Sequence, residues 1–560
     1  MSFQITDQTA CLSRRKIVTV FITCAAVDLA SLIDQNALAV ALPRISSALG
    51  SGDQISWIVV AYFITATSFQ LLYSSLSNIW SRKLVLLAGL GIFFTGSLAA
   101  SFVTNITQLI IFRAFTGIGG GGLITLVQII VGDVVSLRER GKWQGILGAV
   151  VALSHGVGPI IGGKIISYSA DSWRWIFRLN LFTSAFTTLM VLFFMPLKKV
   201  EGHWKAKLKS IDFFGAALNL SGSILLILGL SWGGVNFSWL SLRIIFTLSI
   251  GGILMIAFLL WQWKGAKQPI LPLGIFKSRM VMGITYATFA CGWNYLVQIF
   301  LIPTFYQLAY GYSPLKAASM LIPVTLVQTA SSTLSGLFVT WRGRYREPLI
   351  FGYSMWALGI GLHSSLSPSS SLAMQLGYAV LTGFGAGQTF QPSLIAIQAG
   401  KASCIVSYLT SRIFIIEVNE ISMHYFIRDI GGTFGLAVAG TIISKSVRDT
   451  LAQAVEKGHT NLSTVQVEMI LKDPTRVIFA KNELPSTTAD MIHTLVLSAY
   501  LRAFRRVFYL GTALGVSTFL VAIFFIPQVD LSNNKSEEEE RQAKSNESQT
   551  NEKNSADVGV

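Results

Sequence analysis

The stretch Gly148-Ala149-Val150-Val151-Ala152-Leu153-Ser154-His155-Gly156-Val157-Gly158-Pro159-Ile160-Ile161-Gly162-Gly163 is apolar enough to read as a membrane helix, yet small residues and one proline interrupt it. Glycine strips a helix to its backbone and lets a neighbour approach closely. Proline removes a hydrogen bond and kinks the helix. Gly158 and Gly162 share one face at the spacing that lets helices pack tightly. A close-packed, bendable helix suits a protein that rocks between two states. Glycine and proline are also common in ordinary membrane helices, so spacing alone leaves both readings open. His155, beside the Gly-Pro step, is placed to sense protons, to touch substrate or simply to hydrogen bond in a helix bundle.

Similar apolar stretches recur along nearly the whole chain. Of its 560 residues 52% are hydrophobic and 12% charged, and the mean hydropathy is +0.58. A soluble domain carries about twice that charged fraction. Spans are expected near 17–42, 55–76, 84–103, 108–132, 144–168, 176–196, 211–231, 243–263, 281–306, 315–340, 349–366, 373–397, 424–446 and 507–527. Each is long enough to cross a bilayer. The expected fold is therefore all-α and polytopic, embedded in the lipid bilayer.

Charge placement supports the count. Arg82 and Lys83, then Arg138, Arg140 and Lys142, then Lys198 to Lys209, then Lys264 to Arg279, then Arg342 to Arg346 fall in alternate loops, and the loops between carry almost no Lys or Arg. That is the positive-inside pattern, and it puts both termini in the cytoplasm. It also accounts for the net charge of +16 without nucleic acid as a partner. Cys11, Cys24, Cys291 and Cys404 have no metal or redox spacing. No cleavable signal peptide is expected, because Arg14-Arg15-Lys16 precedes the first span. Gly117–Gly122 lies inside an expected span and follows no strand, so it is no nucleotide loop. With no P-loop, metal cluster or nucleophile elbow, the expectation is no enzyme, no cofactor and no metal.

A weak repeat organises the chain. Ser74-x-x-x-Asn78-x-x-Ser81-Arg82-Lys83 follows the second span, and Gly336-x-x-x-Thr340-x-x-Gly343-Arg344 follows the tenth in the same register. Ala41-Leu42-Pro43 ends the first span as Leu301-Ile302-Pro303 ends the ninth. The expected organisation is a cytoplasmic N-terminus (1–16), a six-helix half (17–196), a linker with two extra helices (197–263) and a second six-helix half (264–527). That second half contains a long extracytoplasmic loop, 447–506, and a disordered acidic and polar tail, 528–560, follows. Asn461 in that loop is the expected N-glycosylation site. Parallel repeats of this kind place a substrate site between the halves.

Ionisable groups inside spans are functional candidates by default. Asp34 is suited to carry a proton if it faces a cavity, and Asp28 lies on a different face of the same helix. Arg113, which stays protonated, can hold or release a nearby carboxyl as helices move. Asp133 is expected in a loop-ordering ion pair, and Asp212 as a helix cap. Candidates for the lining of the pathway are Gln70, Gln128, Trp293, Asn294, Tyr295, Gln298, Gln388 and Gln391. Each also fits ordinary core or interface packing.

In this order and spacing the residues resemble the major facilitator superfamily, and within it the fourteen-span drug:proton antiporters of fungi. Leu32-Ile33-Asp34-Gln35 with Ala41-Leu42-Pro43, Ser56-Trp57-Ile58-Val59, Arg113-x-x-x-Gly117-x-Gly119, Gly158-Pro159-Ile160-Ile161-Gly162-Gly163, Trp173-Arg174-Trp175 with Asn180, and Pro303-x-x-Tyr306-Gln307 carry the likeness. The resemblance implies two six-helix bundles with a two-helix insert, working as a monomer. It implies export of a small hydrophobic or amphipathic compound (drug, toxin or secondary metabolite) in exchange for protons. It assigns Asp34 and Arg113 to proton coupling, and Gly158, Pro159, Gly162 and Gly163 to the antiporter motif. The plasma membrane is the expected location, with the vacuolar membrane as the other choice. A siderophore or vacuolar amino-acid carrier of the same fold is one alternative, and a non-transporting receptor or degraded paralogue another. Two departures stand out. In the cytoplasmic gate loop of Asn78, Arg82 and Lys83, Asn78 replaces the family's aspartate and cannot form its ion pair. Cys404–His424 has no family likeness, which suggests a misplaced exon boundary or a degraded copy.

Overall fold

The computed structural model describes residues 14–49, 57–135, 137–166, 168–169, 171–195, 211–234, 237–266, 269–271, 273–405, 413–456 and 486–529. Apolar runs end where a polar side chain takes over the helix terminus. The Ser81 hydroxyl accepts from Leu84 N at 3.3 Å, Asn105 Oδ1 from Gln108 N at 2.9 Å, and Asp212 Oδ1 from Gly215 N at 2.8 Å. These caps satisfy amides that have no partner within the first turn. Asp212 is thus the expected helix cap, and it also accepts from Trp261 Nε1 and Gln262 Nε2. At the other ends, Gly311 and Gly343 take the left-handed conformation that closes a helix.

Fourteen long helices result among the described residues: α1 (Arg14–Leu49), α2 (Trp57–Ile79), α3 (Arg82–Ala100), α4 (Ile106–Val134), α5 (Leu137–Ile166), α6 (Arg174–Phe194), α7 (Phe213–Trp232), α8 (Leu242–Leu260), α9 (Arg279–Tyr310), α10 (Ile322–Arg342), α11 (Arg346–His363), α12 (Leu372–Ile405), α13 (Ile413–Glu456) and α14 (Ser486–Phe525). Each overlaps one expected span. Ten are long and apolar enough to cross a membrane. The other four, α5, α9, α11 and α12, carry more polar and small residues along their length.

Packing reveals the repeat. α1 packs on α5 and α6 as α9 packs on α13 and α14. α2 and α3 flank α4 as α10 and α11 flank α12. The glycines explain the second pair of triplets. A Cβ at Gly117 or Gly121 of α4 would stand 2.4 Å from Tyr62 O or 2.1 Å from Ala66 O of α2, and one at Gly119 2.6 Å from Gly89 O of α3. In α12, Gly383 and Gly387 meet Val324 O and Gln328 O of α10 at 2.4 and 2.2 Å, and Gly385 meets Trp356 N of α11 at 2.3 Å. Only glycine lets one helix touch the backbones of two neighbours on opposite sides. α7 and α8 pair with each other, and α7 reaches α2 and α13.

The two halves meet through α5 on α10 and α2 on α13. Arg140 Nη1 donates to Gln398 Oε1 at 2.8 Å, Thr333 Oγ1 to Gly145 O at 2.9 Å, and Gln391 Nε2 to Gln144 O at 3.3 Å. A Cβ on Gly141 would lie 2.3 Å from Gly336 O. These contacts lie toward the end that carries Arg82, Arg140 and Arg344. At that end Tyr345, between α10 and α11, donates to Pro527 O at 2.8 Å and accepts from Val529 N at 3.1 Å. Burial pushes its phenol up to about 12, so it keeps its proton and ties the end of α14 down.

Two features differ from the sequence expectation. Residues 447–456 and 486–506, expected in a long loop, are helical, because α13 and α14 run on beyond the apolar core with residues such as Leu451, Val496, Tyr500 and Phe504 packed between them and α9. Asn461 and the tail from 530 lie outside the described residues. Of the segment without family likeness, 406–412 also lies outside, while 413–424 forms the start of α13.

Candidate functional site

α1 is an apolar helix with two carboxylates, and the structure separates them. Asp34 is fully buried and turned into the first half. Its Oδ2 accepts from Arg113 Nη1 of α4 at 2.8 Å, and its Oδ1 from Asn180 Nδ2 of α6 at 2.5 Å. Arg113 is equally buried, lies 4.5 Å from the centre of the Tyr62 ring and donates from Nε to Ile58 O at 3.4 Å. The Tyr62 hydroxyl accepts from Gln35 Nε2 at 3.3 Å. A Cβ at Gly120 would stand 2.0 Å from that hydroxyl. The glycine run of α4 therefore makes room for the ring on which the guanidinium lies. Asn180 is the partner that sequence reasoning quoted in a motif without giving it a role.

Asp28 faces elsewhere. It is buried within electrostatic reach of Tyr425 on α13. Its Oδ1 has no hydrogen-bond partner among the described residues.

The expected lining residues divide. Gln70 Nε2 crosses to Asp429 Oδ2 of α13 at 2.8 Å, and Gln391 crosses to α5. Tyr295 packs against Phe390 with ring centres 5.7 Å apart. Gln128 Oε1, Gln298 Nε2 and Trp293 Nε1 are buried without a partner among the described residues. By contrast Asn294 donates to Gly511 O of α14 at 3.3 Å, and Gln388 to Ser331 Oγ of α10 at 2.9 Å. Both bonds stay inside the second half. Arg428 and Asp429 of α13 were not singled out from sequence, although both stand in the polar start of an otherwise apolar span.

At the basic end, Arg82 pairs with Asp133 at 2.9 Å and donates from Nη1 to Asn78 Oδ1 at 3.0 Å. Asp133 thus makes the expected loop-ordering ion pair. Lys83 Nζ donates to Leu192 O at 2.7 Å and Met195 O at 3.1 Å, which closes the end of α6. Gly158 and Gly162 face α1, where their Cβ atoms would meet Asn36 Cβ and Ala37 O at 2.6 Å each. Gly163 lies in the same helix, partly buried. The side chains of His155 and Pro159 lie outside the described residues, although both belong to α5. Among the described residues no group of His, Cys, Asp and Glu could hold a metal.

Comparison with known proteins agrees with the fold. The profile of the Major Facilitator Superfamily matches residues 25–403. Citrate exporter 1 of Yarrowia lipolytica is 32% identical over 527 residues, 93% of this chain and 74% of that protein. Efflux pump dotC of Dothistroma septosporum is 33% identical over 382 residues, 68% of this chain and 66% of that protein. Among solved structures, the proton:xylose symporter XylE bound to 6-bromo-6-deoxy-D-glucose superimposes with a TM-score of 0.56 at 12% identity, over 93% of this chain and 98% of that one.

Proposed function

The chain belongs to the major facilitator superfamily, and from that premise we propose that this transporter exports a small organic compound in exchange for protons. The observation that carries the reading is the Asp34–Arg113 pair, buried at 2.8 Å in the core of a membrane-embedded half. Buried ion pairs are weak contributors to stability, so their presence in a span calls for a function. A proton arriving on Asp34 removes the charge that holds Arg113. The guanidinium is then free to shift on the Tyr62 ring, and α1, α4 and α6 lose the group that ties them together. Because α1 lies against Gly158 and Gly162 of α5, and α5 against α10 of the other half, that local change reaches the contact between halves. We assign the basic end to the cytoplasm, so the contacts of Arg140, Thr333 and Gln391 close the cytoplasmic side. The plasma membrane is the proposed site of action.

The efflux pump among the relatives supports export, and the citrate exporter supports a second reading, in which the exported compound is an organic acid. Everted membrane vesicles with an acidic lumen test both, with rhodamine 6G and citrate as probes. Accumulation of either probe that collapses with the gradient supports proton antiport. Accumulation that persists unchanged after the gradient is collapsed rejects it.

A further inference from the structure

A second charged centre lies where the halves face each other. Arg428 sits on α13, which is flanked by α2, α4, α7, α9, α12 and α14. Its side chain is 23% exposed, and it stands next to Asp429, whose bond to Gln70 crosses between the halves. The guanidinium lies 4.6 Å from the centre of the Tyr425 ring and 5.8 Å from that of Phe390. Tyr295 completes the surround by packing edge-on against Phe390. Rings on these sides hold a guanidinium in place.

Its neutralisation is incomplete. Among the described residues its only oxygen partner is Asp429 Oδ1, at 3.5 Å. A charge-assisted bond of good geometry is about 2.8 Å long. Asp429 makes its shorter bond the other way, from Oδ2 to Gln70 of the first half at 2.8 Å. A guanidinium inside a membrane protein is costly unless it is paired. Here the pairing is loose, the partner is shared with another group, and the surroundings are aromatic.

We propose that Arg428, with Tyr425, Phe390 and Tyr295, is a recognition site for an organic anion with a flat apolar body. The anionic group takes the guanidinium fork, and the body lies against the rings. Asp429 is the internal competitor that occupies the arginine when the site is empty. This rests on the reading of the chain as a carrier of small solutes, but not on proton coupling.

The test is calorimetric titration of the purified full-length protein with three probes of one shape: 2-naphthoate, 2-naphthamide and 2-naphthylmethylammonium. We expect 2-naphthoate to bind at least about tenfold tighter than the other two, the size of one charge-assisted hydrogen bond. Arg428→Gln weakens 2-naphthoate by about tenfold or more, and Arg428→Lys by less, because the charge stays while the fork is lost. Asp429→Asn removes the competitor and tightens binding by a few fold. A purely structural pair would show weakening in both variants, and that result overturns the proposal. So does equal binding of the amide, preference for the ammonium, or no binding of 2-naphthoate to the wild type. If Arg428→Gln does not fold, Arg428→Lys and Asp429→Asn decide. Gradient-driven movement of rhodamine 6G together with failure of 2-naphthoate to bind leaves the transporter reading standing and removes the anion site. Binding of 2-naphthoate without gradient-driven flux does the reverse.

Discussion

The two halves are built alike and charged differently. Arg113 stands four residues before Gly117, the first glycine of the α4 triplet, and Ala379 stands four before Gly383, the first of the α12 triplet. Asp34 stands seven residues before Ala41-Leu42-Pro43, and Asn294 seven before Leu301-Ile302-Pro303. The ion pair of the first half thus has neutral residues in its place in the second, where Asn294 satisfies itself on the Gly511 carbonyl. Ala379 is buried, so no cation takes its place there. The same scaffold is built with and without the charges. That teaches that packing holds the fold, and that the Asp34–Arg113 pair is present for another reason.

Breaking the pair should therefore have the largest effect. Asp34→Asn leaves Arg113 buried and unpaired, and we expect a loss of about 3–5 kcal/mol in thermal unfolding of the purified protein. Asp34→Asn with Arg113→Gln, which makes the first half neutral like the second, should recover most of that loss. A double variant as unstable as the single one would break the comparison. The shared scaffold is tested next. Gly121→Ala and Gly387→Ala each drive a methyl onto a backbone carbonyl, and should cost about 1–3 kcal/mol each, with similar values in the two halves. Gly91→Ala, which meets nothing within 4 Å, should stay within about 0.5 kcal/mol. The bond between halves is smaller. Gln70→Leu removes the donor to Asp429 and should favour separation of the halves by about 1.5 kcal/mol, read as faster labelling of a cysteine placed at Thr333. Tyr345→Phe loses one hydroxyl at the end of α14, and should cost about 1 kcal/mol in the same unfolding assay.

Much of this was legible in the sequence, for physical reasons. A span must be apolar over about 20 residues, so membrane helices announce themselves, and basic loops mark one side. The Pro43 and Pro303 echo revealed the repeat because proline and its neighbours recur at fixed helix positions. The α4 glycines were visible, but their role was not: nothing local says that Gly119 faces α3 while Gly117 and Gly121 face α2. Asp34 and Arg113 were found because charge is rare in spans, whereas Asn180 was not given a role because asparagine is not rare enough. Asn294 and Gln388 were expected in the pathway because they are polar, and the structure adds that each bonds to a neighbouring helix of the second half. Arg428 and Asp429 were hidden by their place at the start of a span, after a segment without family likeness.

Proton coupling through the charged half is separable from substrate movement in one measurement. The double variant Asp34→Asn, Arg113→Gln is reconstituted in sealed vesicles. Gradient-driven accumulation of the probe that the wild type moves is compared with exchange of the same probe at equal pH on both sides. If the pair couples protons to transport, exchange persists while accumulation against a gradient is lost. Accumulation equal to that of the wild type would contradict it.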